Sequence, residues 1–195
     1  LFDIVKLSDI CKDYISKLSA QQVYESCLEW AKLHNRQVEK LLLENKEYCI
    51  KIFNIERSGA KIRKDIVKFE DCEEQLSLFF DELFPDNYED IQERVSKDIQ
   101  RDIILEYKKI YSTEISEVEW FEKVKDLSKK LGFSIDRKEY EASKEKFKGT
   151  VGDVAMVLRV AITGKTKSPD LFQVMSVLGE EKVMDRLDRY ISKMV

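Results

Sequence analysis

Turn formers are scarce in this sequence, with two prolines and six glycines among 195 residues. A β-sandwich or barrel needs a turn signal every ~8–12 residues, so a sheet-rich fold is excluded and an all-α fold is expected. No uncharged apolar run reaches the ~18 residues that a membrane span requires, so no membrane partner is expected. The only histidine is His34, which leaves little general acid–base chemistry near neutral pH. It follows a helical stretch, beside Asn35 and Arg36, and fits a surface or helix-end residue better than a catalytic base. A phosphate loop of the G-x-x-x-x-G-K type is also missing. Gly149-Thr150-Val151-Gly152-Asp153 has two glycines but no following Lys and Ser/Thr, as in a turn that enters a helix. The beginning, Leu1-Phe2-Asp3-Ile4, has no Met, no basic start and no apolar segment of a signal peptide. It is expected to be the start of a piece cut from a longer protein.

The four cysteines Cys11, Cys27, Cys49 and Cys72 contain no C-x-x-C pair, whereas structural zinc wants ligands paired at close spacing. Reduced, half-buried thiols in a cytoplasmic protein are therefore expected, with no metal site.

The charge present is abundant and segregated. The net charge is −4, from 34 basic and 38 acidic residues. Residues 1–69 hold 13 basic and 10 acidic side chains, residues 70–122 hold 5 and 17, and residues 123–195 hold 16 and 11. A polyanion would be repelled by the middle belt and attracted to the flanks. The most basic stretch carries Lys144, Lys146, Lys148, Arg159, Lys165 and Lys167 against Glu145 and Asp153. That stretch is either a set of phosphate contacts or a solvated lysine-rich surface. Carboxylate pairs within the belt fit the wet faces of charged helices.

Helical periodicity is clear. Val23, Cys27, Trp30 and Ala31, then Val38, Leu41, Leu42 and Cys49, predict two short helices around a break at Asn35-Arg36. Ile91, Val95, Ile99, Ile103 and Tyr107 predict one helix over 88–111, after the break Pro85-Asp86-Asn87. Val118, Phe121, Val124, Leu127 and Leu131 predict a helix over 117–131 with that face inward, stopped by Gly132. Further on, Asp153 is expected to cap a helix ended by Gly164. Ser168 is expected to cap another, with Pro169 at its first position and Gly179 at its end, and a last helix carries Val183, Leu187, Ile191 and Met194. No nucleophile, base and oxyanion donor assemble from these spacings. The chain alone fits a non-catalytic helical module, either one that binds RNA or one that docks a protein partner.

The residues also carry a resemblance. Leu158-Arg159-Val160-Ala161-Ile162-Thr163-Gly164, then Ser168-Pro169-Asp170-Leu171-Phe172 and Leu178-Gly179-Glu180-Glu181, are similar in order and spacing to the C-terminal anticodon-binding part of bacterial glutamyl-tRNA synthetases. Phe2-Asp3, Lys6-Leu7 and Tyr14-Ile15 resemble the segment that follows the catalytic core in that family. Asp9 and Cys11 stand where the family has Trp and Asn.

The resemblance implies two consecutive helical anticodon-binding domains, 19–87 and 88–195, after the tail of a stem-contact region at 1–18. It implies a parent ligase that joins glutamate to tRNA(Glu) using ATP and Mg2+, with the catalytic domain and both cofactors outside this segment. It implies no catalytic residue here, a cytoplasmic setting and a monomer. Arg159, Ser168, Pro169 and Leu171 match positions that line the pocket for the second and third anticodon bases. An Arg that reads the first base in some relatives falls at Asp65, with Arg63 and Lys64 adjacent. In that register the parent is expected to accept tRNA(Gln) as well. From the residues alone, Ser168 and Pro169 can equally cap a helix, and Arg159 can pair with Asp153 or Asp170.

Overall fold

A computed structural model describes residues 3–58, 62–85 and 87–194. The chain divides into two compact units, 1–85 and 86–195. The described residues are all-α: eleven α-helices, two 3-10 turns and one isolated parallel bridge between Ser134 and Thr150.

The first unit holds α1 (Ile4–Ser16), α2 (Ala20–His34), α3 (Arg36–Glu44), α4 (Lys46–Phe53) and α5 (Cys72–Ser77). Ser19 starts α2 with a capping box. Its hydroxyl accepts from Gln22 N at 3.2 Å, while Ser19 N donates to Gln22 Oε1 at 2.9 Å. Asn35 ends α2 and caps α3, its Oδ1 accepting from Gln37 N and Val38 N at 3.1 Å each. Three helices occupy 20–53 where two are predicted. Asn45 leaves helical geometry at φ −128° and splits the second without interrupting the apolar spacing. Arg57 ties the ends of two helices together, donating to Phe53 O at 2.8 Å and to Ile15 O and Leu18 O at 2.9 and 3.0 Å.

The cysteine expectation needs correction. Cys27 and Cys72 are joined in a disulfide across 45 residues, and both are wholly buried. The packing of α2 beside the turn that leads into α5 brings them together, which sequence spacing does not reveal. Cys49 is a free buried thiol, pushed up to about 12 by burial, and Cys11 is free and half-buried.

The second unit holds α6 (Lys97–Lys108), α7 (Glu117–Leu131), α8 (Arg137–Ala142), α9 (Val151–Thr163), α10 (Leu171–Leu178) and α11 (Glu180–Ser192). Helix α9 is central. Val154, Val157, Leu158, Val160, Ala161 and Ile162 are wholly buried, and α6, α7 and α11 pack around it. Between its neighbours, Trp120 Nε1 on α7 donates to the buried Tyr107 hydroxyl on α6 at 2.8 Å.

Three helical expectations change here. Residues 88–96 are not helical, because the helix begins after Ser96. Ile91 and Val95 are nonetheless buried, in a turn where Val95 N donates to Ile91 O at 2.9 Å. A turn of that kind reproduces the i, i+4 spacing of a helix. Ile99 is only half-buried, and Gln100 is buried beside it, accepting from the Tyr190 hydroxyl at 2.6 Å. Helix α7 keeps its expected bounds, but Val118 and Phe121 point outward, 73% and 40% exposed. Finally, α9 is capped by Thr150, and Asp153 is the third residue of its capping box.

Asp153 is a buried carboxylate whose desolvation opposes ionisation. Bonds from Thr150 N (2.6 Å), Arg94 and Thr150 Oγ1 (2.8 Å), with the Arg94 charge, outweigh that cost and hold it below its ordinary 3.8. A lowered carboxylate stabilises the fold above the unfolded-state pKa, and this contribution is lost as pH falls through the folded-state value. Asp153→Asn is therefore expected to lower stability at neutral pH by about 1–2 kcal/mol. It should also flatten the fall in stability between about pH 5 and pH 2. Urea unfolding across that range checks both effects.

Candidate functional site

The site is built at the C-terminal end of α9. Gly164 takes the left-handed geometry, φ 76°, that ends a helix without a Cβ penalty. The chain then turns through 164–170 into α10. Arg159, half-buried and one turn before the end of α9, reaches this loop. Its Nη1 donates to the Ser168 hydroxyl, to Ser168 O at 3.2 Å and to Pro169 O at 2.9 Å. Arg159, Ser168 and Pro169 thus form one junction. Asp153 is engaged instead by Thr150 and Arg94.

The cap expectation changes. Asp170 caps α10, its Oδ1 accepting from Gln173 N at 2.9 Å, and the helix opens at Leu171. Ser168 and Pro169 precede the helix, and the Ser168 hydroxyl donates to Pro169 O at 3.0 Å. Pro169 is buried and Leu171 is 2% exposed.

Beside the junction lies a groove of about 560 Å³. Val118, Trp120 and Phe121 of α7 line it together with Ala155, Arg159 and Leu171, and Glu117, Glu122 and Asp170 also reach it. The volume falls within the ~300–1,000 Å³ range of small-ligand sites.

A second set of bonds holds the loop. The Glu89 carboxylate accepts from Thr166 N at 2.7 Å and from the Thr166 hydroxyl, and Glu89 N donates to Gly164 O at 2.9 Å. The Thr166 hydroxyl and amide hold this carboxyl below its ordinary value. Within the loop, Thr163 Oγ1 donates to Arg159 O at 2.8 Å and accepts from Lys165 N at 3.3 Å. Glu89 belongs to the acidic belt and lies 77 residues from its partner. No local pattern distinguishes it from the other acids, so sequence reasoning missed it.

The basic stretch does not form one patch. Lys144, Lys146 and Lys148 precede α9, while Lys165 and Lys167 follow it, so a helix of 13 residues, about 20 Å long, separates the two groups. Lys144 pairs with Glu141 at 2.8 Å. Lys146, Lys148 and Lys167 are exposed, and Lys165 is half-buried.

The residues expected near a first base lie in the other unit. Arg63 pairs with Asp65 and reaches Glu56 Oε2 at 3.3 Å, and Lys64 pairs with Asp13 of α1 at 2.6 Å. Among the described residues, no group of three or more His, Cys, Asp or Glu is disposed to hold a metal ion.

Comparison with known proteins agrees with this architecture. A family model described as an anticodon binding domain matches residues 22–191. The chain belongs to that family. Among curated relatives, the glutamate–tRNA ligase of Clostridium beijerinckii is 37% identical over 98% of this chain and 35% of its own length. The glutamate–tRNA ligase of Acetivibrio thermocellus is 36% identical over 98% and 35%. That of Sorangium cellulosum is 37% identical over 98% and 34%. This anticodon-binding chain therefore spans about a third of the length of these relatives.

If Glu89 fixes the loop, Glu89→Ala is expected to speed hydrogen exchange at the Thr166 amide by roughly tenfold, the scale of one lost hydrogen bond. The buried amides of α9 should be unchanged. Site-resolved exchange measured by NMR checks this.

Proposed function

We propose that this chain is the tRNA-reading, C-terminal part of a glutamate–tRNA ligase, and that it recognises the anticodon of tRNA(Glu). The observation that carries the reading is the anticodon-binding family match over 22–191, joined to relatives that are glutamate–tRNA ligases along 98% of this chain. The match favours RNA over a helical protein-docking role. In this reading, 1–18 is the tail of a stem-contact region, 19–87 the first anticodon-binding domain and 88–195 the second. The compact units, which divide between Pro85 and Asp86, support two domains. ATP and Mg2+ would serve the catalytic part of the ligase outside this chain, which works in the cytoplasm as a monomer. No described helix is long and apolar enough to cross a membrane.

Arg159 is the principal reader of the second and third bases. An arginine offers five donors in a planar fork, suited to bonding or stacking on an unstacked base. Its bonds to Ser168 and Pro169 fix that plane before RNA arrives, so little ordering remains to be done on binding. Ser168, Pro169 and Leu171 hold the pocket's shape. Lys144, Lys146, Lys148, Lys165 and Lys167 supply phosphate contacts at the two ends of α9.

Binding of the full chain to a tRNA(Glu) anticodon stem-loop is expected to weaken steeply with salt, as counterions are released. Changing the second or third anticodon base should abolish it. Arg159→Ala should cost about 1–3 kcal/mol, and Arg159→Lys should not restore the loss, because a point charge lacks the fork. Fluorescence titrations at two salt concentrations check these outcomes. Salt-independent association, or indifference to Arg159, would overturn the reading.

At the first base we propose relaxed selection. Arg63 is paired with Asp65 and Glu56, and Lys64 with Asp13, so the cations of this segment serve internal contacts. The whole ligase is then expected to charge both tRNA(Glu) and tRNA(Gln). Aminoacylation of the two purified tRNAs checks it, and strict selection of tRNA(Glu) would sink it.

A further inference from the structure

The outward turn of Phe121 and Val118 asks for an explanation. An aromatic ring and a β-branched side chain, 40% and 73% exposed, sit on a helix face otherwise made of Glu and Lys. Neither is spare surface, since both line the groove that Arg159 also lines. Their neighbour Trp120 is buried, with its indole bonded to Tyr107 and its ring 5.9 Å from that of Phe172. Phe121 is thus the ring that the groove offers to a ligand. The Lys125 ammonium lies 4.9 Å from its centroid and braces it by a cation–π contact.

The charges of the groove narrow the choice of occupant. Glu117, Glu122 and Asp170 reach it, Arg159 is the single cation among the residues that line it, and the nearby Lys125 is taken up by Glu122 at 2.7 Å, so the groove has no surplus of positive charge to hold a phosphate. An uncharged, flat heteroaromatic group needs no such surplus. Its faces suit the ring, and its N–H and carbonyl edges suit the carboxylates and the guanidinium.

We infer that Phe121, on α7, is the stacking surface for an unpaired anticodon base whose edge is turned toward Arg159. Val118 extends the apolar wall. The inference rests on the anticodon reading proposed above and adds a residue from a different helix to the pocket of Arg159, Ser168, Pro169 and Leu171. Base–aromatic stacking is tolerant of base identity, so Phe121 contributes affinity while Arg159 contributes choice.

The test uses the full chain and a tRNA(Glu) anticodon stem-loop carrying the fluorescent cytosine analogue pyrrolocytosine at the third anticodon position, where it keeps the hydrogen-bonding edge of cytosine. Its fluorescence is quenched when it stacks. The wild-type chain should quench it on binding. Phe121→Ala should lose the quenching and bind about tenfold more weakly, with an unchanged salt slope because no phosphate contact is lost. Phe121→Trp should keep both binding and quenching. Far-UV circular dichroism establishes that each variant is folded, as expected for an exposed position. Wild-type affinity and quenching in Phe121→Ala would overturn this inference and leave the anticodon reading standing. Absence of salt-dependent binding by the wild-type chain would overturn both.

Discussion

Helix α9 must be buried almost all round and still deliver one arginine to a surface loop, and the rest of the second unit is organised around that demand. Each fully buried aliphatic side chain on it contributes about 1.5–3 kcal/mol, so α9 cannot rotate about its axis without exposing several of them. Rotation being blocked, the direction of Arg159 is set by the core. The ends of the helix are secured separately. Thr150, Asp153 and Arg94 close its first turn, and at the other end the buried Arg186 donates to Ile162 O at 2.9 Å. A guanidinium there also meets the negative end of the helix dipole. The loop 164–170 therefore starts from a fixed point, and Glu89 and Arg159 need only hold its middle.

Much of this unit was legible because α7, α9 and α10 end at glycines. Gly132 and Gly164 adopt left-handed geometry, and Gly179, at φ 80°, separates α10 from α11. These stops fall where hydrophobic periodicity also changes phase. The readings failed where turns or solvent produce the same spacing as a buried helix. Ile91 and Val95 lie four apart in a turn, and Val118 lies three before Phe121 on a helix whose other face supplies the core. Periodicity measures spacing and cannot say which of two apolar stripes is covered. The Cys27–Cys72 bond was hidden for a related reason. It depends on how α2 and the chain before α5 fold together, and 45 residues of separation carry no sign of that.

The site was legible in a different way. Arg159, Ser168, Pro169 and Leu171 were singled out by likeness to a family, whereas spacing alone left Arg159 free to pair with several acids. The structure adds the hydrogen bonds that join Arg159 to Ser168 and Pro169. It also moves the cap of α10 to Asp170, which frees Ser168 from a helix-capping duty. Glu89 and Phe121 had no sequence signal: one is an acid among many, the other an aromatic that periodicity assigned to the core.

Counted as free charges, the acids of the middle belt argue against RNA, but that count overstates the repulsion. Glu106 is held at about 2 by Lys109 and Lys130, which it bonds at once. Glu122 pairs with Lys125 at 2.7 Å, the same lysine that braces Phe121. Acids paired with lysines present a weaker field to a polyanion than the same number of unpaired acids, and salt screens the remainder over about 8–10 Å. Near the groove they leave no surplus of positive charge for a phosphate. A pocket without such a surplus that offers an aromatic face and a guanidinium suits the bases of a nucleic acid better than its backbone, and bases are accessible in that way only where the strand is unpaired.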